Sequence, residues 1–267
     1  MAPLEGGGLL CCPINSVTNH PMKYALITGA NKSIGLETAR QLLQHGYYVF
    51  LGSRDLQKGQ QAVARLHAEG LTQVEPIQLE VTDSASILAA RQAIGQKTHV
   101  LDVLINNAGI SGGGVPQTAI ATDVAVFKEV YDTNVFGVVQ MTQAFLDLLR
   151  QSAEPRIVNV TSGLGSVSLN ADPAWKYYAV KTAAYGSSKA ALNMYTVVLA
   201  YELRDTPFKV NAVDPGYTAT DFNHHSGPGS VPDAAARVVK AALMAPDGPT
   251  GQFFSDDNAP ETGISPW

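Results

Sequence analysis

The stretch ALITGANKSIGLETARQLLQHG, from Ala25 to Gly46, predicts a β-strand, a tight turn and an α-helix in direct succession. Its first three residues form an apolar run that is typical of a buried parallel strand, and apolar residues then recur with helical period. The turn contains Gly29 and Gly35, where the absence of side chains lets backbone N–H groups approach a pyrophosphate at the positive end of the helix. Because the strand and the helix that this binding mode requires are both present, the stretch favours a dinucleotide-binding turn over an ordinary connection.

A tyrosine and a lysine four residues apart, Tyr185 and Lys189, indicate hydride-transfer chemistry when they are combined with Ser162 upstream and with the glycine turn near the N-terminus. The pair alone is a weak signal. Residues at this spacing share one face of a helix, so the ammonium can lie beside a cofactor sugar while its charge reaches the phenol. A free tyrosine has a pKa of about 10, and a nearby positive charge lowers that pKa towards working pH. The pair therefore predicts a tyrosine that acts as an acid or a base.

A second Tyr-x-x-x-Lys pair lies eight residues earlier, from Tyr177 to Lys181, and requires a choice. The later pair is followed by AALNMYTVVLAYEL, whose apolar residues keep helical spacing. The earlier pair runs into Gly186, which would interrupt its helix. We therefore assign the chemistry to the later pair and expect Tyr177 and Tyr178 in an aromatic loop near the substrate mouth.

The remaining elements alternate regularly and predict one α/β domain with a doubly wound parallel sheet of about seven strands and helices on both faces. Such sheets bind ligands at the carboxyl ends of their strands, so the motifs are expected to meet in one cleft. Further strands are expected near 47–55, 74–79, 101–106, 156–160, 209–213 and 252–254, and helices from about Leu56, Ser84, Thr122 (to Arg150), Tyr185 and Pro232.

Six motifs follow one another along residues 23–254: TGANKSIG (Thr28–Gly35), NNAG (Asn106–Gly109), Asn134 in DTNVFG, Ser162 in VNVTSG, YGSSK (Tyr185–Lys189) and DPGYTAT (Asp214–Thr220). In this order they resemble the short-chain dehydrogenase/reductase family, and most of all its single-domain, carbonyl-reductase-like members that use NADPH. The resemblance implies a Rossmann fold. It also implies that Ser162, Tyr185 and Lys189 are catalytic and that Asn134 completes a proton relay through water.

The same resemblance implies a set of cofactor-binding residues, which departs from the family pattern at two places. Ser33 replaces a glycine that is usual in the turn, and Glu80 replaces an aspartate beside the adenine. Binding is expected to survive the serine, whereas the longer acid is expected to weaken the contact with the adenine amino group. The expected cofactor-binding residues are Gly29, Asn31, Lys32, Ser33, Ile34, Gly35, Ser53, Arg54, Glu80, Val81, Asn107, Ala108, Gly109, Tyr185, Lys189, Pro215, Gly216 and Thr218.

The end of the second strand favours NADPH over NADH. NAD enzymes place an acid there, which bonds the ribose hydroxyls and would repel a 2′-phosphate. Here the position falls on Ser53, followed by Arg54, and Lys32 adds a second cation on the same side. Arginine can form two hydrogen bonds to a phosphate. Asp55 remains the residue through which NADH would bind if the strand ended two residues later.

The segment between Ser162 and Tyr185, SVSLNADPAWKYYAVKTAA in its main part, is longer than in most relatives and is expected to be a loop insertion. Inserted surface segments often shape binding sites, although simple surface packing is an equally open reading. The loop DFNHHSGPGS is expected to act as a substrate lid rather than a metal site, because two adjacent histidines are poor ligands for one ion. The expected substrate residues are Ser162, Gly163, Trp175, Tyr178, Tyr217 and Phe222.

Composition agrees with one globular enzyme domain. The chain has 267 residues, of which 45% are hydrophobic and 15% are charged, enough to bury a substantial core. Its formal net charge of −5 gives no basic footprint for nucleic acid. The adjacent Cys11 and Cys12 are its only cysteines and indicate neither an oxidising compartment nor a thiolate metal site. No membrane span is expected, and a cytoplasmic location is favoured.

Residues 1–22 are expected to be an N-terminal leader, a tail without a secretion signal, and residues 23–267 the single catalytic domain. Homodimers or homotetramers are slightly favoured over a monomer. The predicted reaction is reversible NADPH-dependent reduction of a small-molecule ketone or aldehyde. Three alternatives stay open: alcohol oxidation by the same residues, a non-catalytic NADP(H)-binding sensor, and a nucleotide-sugar epimerase or dehydratase.

Overall fold

The computed structural model describes residues 22–113 and 117–267. The expectations for the leader and for the adjacent cysteines therefore lie outside the described residues, apart from Met22, which is exposed. Within these ranges, no helix is both long enough and apolar enough to cross a membrane.

Seven strands form one parallel sheet in the order β3-β2-β1-β4-β5-β6-β7. The chain order reverses between β1 and β4, and this switch point is where doubly wound sheets bind ligands. The strands are β1 Tyr24–Ile27, β2 Tyr48–Ser53, β3 Val74–Gln78, β4 Val103–Asn106, β5 Arg156–Val160, β6 Lys209–Val213 and β7 Phe253–Phe254. The predicted fold class is confirmed.

Helices cover both faces of the sheet. Several begin at a residue whose side chain caps the first turn: Asp55 accepts from Lys58 N, and Asp83 accepts from Ala85 N. The helices are α1 Ser33–Gln44, α2 Leu56–Ala68, α3 Ser84–Lys97, α4 Val124–Tyr131, α5 Gly137–Leu149, α6 Val167–Ala171, α7 Ala183–Glu202 and α8 Val231–Ala242.

The core has two layers because neighbouring strand residues point to opposite faces. Ala25 and Ile27 pack with α1 and α8 on one face, whereas Leu26 packs with α3, α5 and α7 on the other. All three residues are fully buried. The sheet therefore holds the carboxyl ends of its strands in fixed positions relative to both helical layers.

The segment between Ser162 and Tyr185 is not a plain loop. It contains a 3₁₀ turn, Gly163–Gly165, and the short helix α6, which begins after Ser166, whose hydroxyl accepts from Leu169 N at 3.1 Å. The C-terminal residues support it: Ser166 Oγ donates to Pro266 O at 2.8 Å, and Ser168 N donates to Trp267 O at 3.0 Å. Contacts with a distant part of the chain thus order a segment that has no strong periodicity of its own.

Candidate active site

A cleft of about 860 Å³ opens at the carboxyl ends of the strands. It extends from the glycine turn after β1 to the loop after β6, across the ends of β4 and β5. The motifs expected to converge here do so, because parallel strands bring their carboxyl ends to one edge of the sheet.

The glycine turn is bonded to the end of β4 by the hydroxyl and backbone of Thr28. The Thr28 hydroxyl accepts from the backbone N–H groups of Asn107 at 3.0 Å and Ala108 at 2.9 Å. The Asn107 side chain donates back to Thr28 O at 2.8 Å and Gly29 O at 3.2 Å. These bonds fix the turn against NNAG, although Thr28 itself was not predicted as a site residue.

Two positions in this turn have no room for a side chain. A Cβ on Gly29 would lie 3.0 Å from the Ala108 Cα, and Gly29 has a φ of +62°. A Cβ on Gly35 would lie 2.6 Å from the Asn107 side-chain nitrogen. Ser33, which replaces the usual glycine, takes a φ of 49° at the first residue of α1. The turn keeps a bare backbone at the positive end of a helix, which suits a pyrophosphate.

Ser162, Tyr185 and Lys189 line the middle of the cleft. Tyr185 lies in the first turn of α7, and its ring centroid is 5.7 Å from Lys189 Nζ. Lys189 is 4% exposed, and its Nζ donates to Val160 O at 2.9 Å. The helix therefore brings the phenol and the ammonium onto one face.

Burial controls the acidity of both groups. It raises the pKa of Tyr185 well above its usual value; a hydrogen bond with Ser162 lowers that pKa, and the negative charge of Asp214 raises it. Burial lowers the pKa of Lys189 to about 8. Without a ligand, Tyr185 is thus a phenol near neutral pH, and Lys189 titrates close to that range.

Asn134 lies behind Lys189 in a π-helical turn, Asp132–Phe136, between α4 and α5. It is fully buried and does not line the cleft. Its amide exchanges two hydrogen bonds of 2.9 Å with the backbone of Ile110 and donates to Ser188 Oγ at 3.0 Å. A Cβ on Gly109 would lie 3.3 Å from Asn134 Oδ1 and 3.6 Å from Lys189 Nζ, so the Asn134 and Lys189 side chains both lie close to this glycine.

Two cations line the cleft next to the glycine turn, Arg54 and Lys32. Arg54 is exposed, whereas Lys32 Nζ pairs with Asp221 at 3.1 Å. Ser53 does not line the cleft; it is buried, and its hydroxyl donates to Asp55 O at 2.8 Å. The Asp55 side chain caps α2. No acid at the end of β2 is thus directed into the cleft.

The other predicted cofactor residues also line the cleft. Glu80 turns one carboxylate oxygen back to the backbone N–H and hydroxyl of Thr82, at 3.2 and 3.1 Å. Its reach towards a ligand is correspondingly shorter. The residues with this placement are Asn31, Ile34, Val81, Asn107, Ala108, Gly109, Pro215, Gly216 and Thr218, together with Glu80.

Aromatic residues form the substrate side of the cleft, but they are not all the predicted ones. Tyr217 and Phe222 line it, and the Phe222 ring lies 5.5 Å from that of Tyr185. From the segment between Ser162 and Tyr185, Tyr177 lines the cleft and meets Tyr217 edge-on at 6.1 Å. Trp175 is 8% exposed and packs behind Tyr177.

Tyr178, by contrast, faces outwards and is 41% exposed, with Lys181 Nζ 4.2 Å from its ring centroid. Trp175 and Tyr178 therefore do not line the cleft, whereas Gly163 and Ser162 do. Consecutive residues of a turn point in different directions, so a run of aromatic residues in the sequence does not reveal which of them faces inwards.

Several cleft residues were not predicted as site residues. Gln117 lies in the loop after β4 and Asn258 in the C-terminal segment, and no local pattern marks either of them. Asp214 directly follows β6 and stands in the DPG motif, so its position in the sequence was a usable signal. The His224 and His225 pair is not part of a metal cluster: no three His, Cys, Asp or Glu side chains are grouped as ligands among the described residues.

Comparison with known proteins agrees with this geometry. Residues 23–230 match the family model described as short chain dehydrogenase. The (+)-neomenthol dehydrogenase of Capsicum annuum is 34% identical, over 87% of this chain and 95% of that protein.

Solved structures are similar over nearly the whole fold. The structure of salutaridine reductase from Papaver somniferum has a TM-score of 0.77 at 30% identity and covers 88% of this chain and 99% of its own. The NADPH-bound carbonyl reductase from chicken fatty liver has a TM-score of 0.78 at 28% identity and covers 92% and 99%. The chain therefore belongs to the short-chain dehydrogenase/reductase family and is an oxidoreductase that acts on CH–OH or C=O groups.

Proposed function

We propose that the protein is an NADPH-dependent carbonyl reductase that converts a bulky, largely apolar ketone or aldehyde into its alcohol. The observation that carries the proposal is the cleft itself, which joins a bare glycine turn and two cations at one end to Ser162, Tyr185 and Lys189 in the middle. An aromatic rim completes the other end. Similarity to a (+)-neomenthol dehydrogenase and to a salutaridine reductase supports a reaction of this type.

The residues present fit NADPH. The bare backbone around Gly29 and Gly35 suits the pyrophosphate, and a Cβ at either position would collide with NNAG. Arg54 suits the 2′-phosphate. Lys32, which pairs with Asp221 in this structure, would pair with the same phosphate instead. Asp55 is engaged in capping α2, so it is not available to select a free ribose 2′-hydroxyl. When bound, the cofactor supplies the hydride.

The chain's own residues handle the carbonyl oxygen and the proton. Ser162 and Tyr185 donate hydrogen bonds to that oxygen, where negative charge develops, and Tyr185 then transfers its proton to it. Burial favours the protonated phenol before this step. The charge of Lys189 stabilises the phenolate afterwards. Asn134 completes the relay that returns a proton from solvent. Because the steps are reversible, the same groups also serve alcohol oxidation.

The proposal is tested by following oxidation of NADPH, and separately of NADH, with a panel of ketones and aldehydes of increasing size. We expect ketone-dependent oxidation of NADPH, fastest with cyclic apolar ketones. Binding of NADPH without turnover of any member would favour the non-catalytic sensor, and equal rates with both coenzymes would contradict the coenzyme assignment.

Replacing Tyr185 with phenylalanine removes the proton donor and keeps the ring. Tyr185→Phe is expected to lower kcat by at least about 100-fold while the dissociation constant of NADPH, measured by its fluorescence, changes little. The matched control is Tyr178→Phe, which removes a hydroxyl outside the cleft. Retained turnover in Tyr185→Phe would show that the proton comes from another group.

Arg54→Ala tests the proposed contact between Arg54 and the 2′-phosphate of the coenzyme. Loss of one arginine–phosphate contact is expected to raise KM for NADPH by about tenfold and leave KM for NADH nearly unchanged, because NADH has no 2′-phosphate. Arg65→Ala, on the exposed part of α2, serves as the control. An equal rise of KM for NADPH and for NADH would show that Arg54 does not contact the 2′-phosphate.

A further inference from the structure

Asp214, at the end of β6, is a buried carboxylate that has no part in the proposed proton transfer. It is 5% exposed and lines the cleft. Its two oxygens accept hydrogen bonds from different parts of the chain. Oδ1 accepts from Gly216 N at 3.0 Å, and Oδ2 accepts from Ser255 Oγ at 2.8 Å and from Asn258 Nδ2 at 2.9 Å. Such a buried acceptor needs donors, and here each oxygen has at least one.

Asn258 extends this network into the segment before α7. Its Oδ1 accepts from the indole N–H of Trp175 at 2.9 Å, and its Nδ2 also lies 3.0 Å from Ser255 Oγ. The end of β6, the segment before α7 and the C-terminal segment are therefore joined through Asp214 and Asn258. Trp175, which does not line the cleft, supports a residue that does.

The network touches the residue next to Ser162. A Cβ on Gly163 would lie 3.2 Å from Asp214 Oδ2 and would overlap Asn258 Nδ2. The backbone N–H of Gly163 also lowers the pKa of Asp214, which burial raises. The wall formed by Asp214 and Asn258 is thus packed directly against the chain that carries the Ser162 hydroxyl.

We propose that Asp214 is a positioning residue that joins these three segments into the substrate wall of the cleft and holds Asn258 and Gly163 in register with Ser162. Its two carboxylate oxygens hold different segments of the chain. Oδ1 holds the Gly216 turn on the cofactor side, and Oδ2 holds Ser255 and Asn258 on the substrate side. This inference rests on the proposed reductase function.

The negative charge of Asp214 also affects the pKa of Tyr185. It favours the phenol over the phenolate and so raises the pKa of Tyr185. Other charged or titratable groups face this part of the cleft from every neighbouring element. They are Lys189 from α7, Tyr177 and Lys181 from the segment before α7, Tyr217, Asp221 and His224 from the loop after β6, and Asp257 from the C-terminal segment. Removing the Asp214 charge therefore shifts the ionisation of Tyr185 to lower pH.

Asp214→Asn distinguishes the roles of the two carboxylate oxygens, because it keeps one acceptor and removes the other. An asparagine can still accept from Gly216 N, but its amide nitrogen cannot accept from Ser255 and Asn258. We expect KM for the ketone to rise about tenfold and the dissociation constant of NADPH to change less than about twofold. The rise of alcohol oxidation with pH should move to lower pH. Asp247→Asn, the same change at an exposed residue away from the cleft, is the control and should leave all three quantities unchanged.

A second variant and a readout independent of turnover keep the test decisive. Asn258→Ala removes the wall contact and keeps the charge, so it should raise KM without moving the pH profile. In a Trp267→Phe background Trp175 is the only tryptophan, and Asp214→Asn should increase quenching of its fluorescence by acrylamide, whereas Asp247→Asn should not.

The outcomes separate this inference from the proposed function. If the unsubstituted protein reduces no ketone but Asp214→Asn exposes Trp175, the wall stands and the reductase proposal fails. Unchanged KM and unchanged quenching in Asp214→Asn would overturn the inference. So would an equal loss of ketone and NADPH affinity, which indicates general destabilisation. If Asp214→Asn does not fold, an unchanged KM in Asn258→Ala would overturn it.

Discussion

At the scale of single residues, Lys189 shows how a functional charge reduces stability. Its ammonium is 4% exposed, and burial lowers its pKa from 10.5 to about 8. Below the lower value the folded protein holds a buried charge that the unfolded chain keeps in water. Between the two values the unfolded chain binds more protons than the folded one, so this group makes the folded state more stable as pH rises.

We therefore expect Lys189→Met to raise the free energy of unfolding at pH 7, by up to about 3 kcal/mol, while removing activity. The advantage should shrink as pH approaches 10, because Lys189 is then neutral in the folded protein. Urea unfolding at both pH values measures this difference. The exposed Lys240→Met is the control, and an equal effect of Lys189→Met at pH 7 and pH 10 would contradict the prediction.

At the scale of elements, the start of α7 depends on a residue from another part of the sequence. Thr182 caps the helix locally, since its hydroxyl accepts from Gly186 N at 3.2 Å. Gln117, in the loop after β4, accepts from Ala183 N through its backbone oxygen at 3.0 Å and from Tyr185 N through its side chain at 2.9 Å. These N–H groups have no partner within the helix. Gln117 therefore helps to hold the turn that carries Tyr185.

Gln117→Ala leaves the buried N–H of Tyr185 without its partner. We expect the free energy of unfolding to fall by about 1–3 kcal/mol and kcat to fall more than the affinity for NADPH. Thermal unfolding and steady-state kinetics measure the two effects. Gln60→Ala, on the exposed face of α2, should change neither. If Gln117→Ala were as stable and as active as Gln60→Ala, the hydrogen bond from Tyr185 N to Gln117 would have no role.

At the scale of the whole molecule, α7 also carries an exposed apolar stripe. Its members follow helical spacing: Met194 is 65% exposed, Val197 36%, Val198 46% and Tyr201 65%. A contiguous apolar surface of this kind is typical of an association site. We expect it to pack against a second copy of the chain, in line with the homo-oligomer predicted from the sequence.

Light scattering on the purified protein should then give a multiple of the single-chain mass. Val198→Lys places a charge in the stripe and is expected to lower that mass to a single chain. Leu88→Lys, a matched change on α3 at a residue 57% exposed, should leave the mass unchanged. A single-chain mass for the unsubstituted protein would contradict this prediction.

The order of the strands and main helices, and several of their bounds, follow from local signals and were predictable. The sequence places strands at Arg156–Val160 and Lys209–Val213 and helix starts at Leu56 and Ser84, and the structure has the same bounds. Apolar runs mark the buried strands, and the aspartates before α2 and α3 cap their first turns. Helix α6 was missed because it is five residues long and is supported by the distant C-terminal segment.

The fold class and the family follow from the sequence alone, because the glycine turn, the Tyr185–Lys189 pair and the order of the motifs are properties of short segments. The three-dimensional packing was needed to show that Tyr177 rather than Trp175 lines the cleft, and that Gln117, Asp214 and Asn258 take part in it. Their partners lie tens of residues away along the chain. Periodicity and capping act over a few residues, whereas the direction of a loop side chain depends on what packs against it.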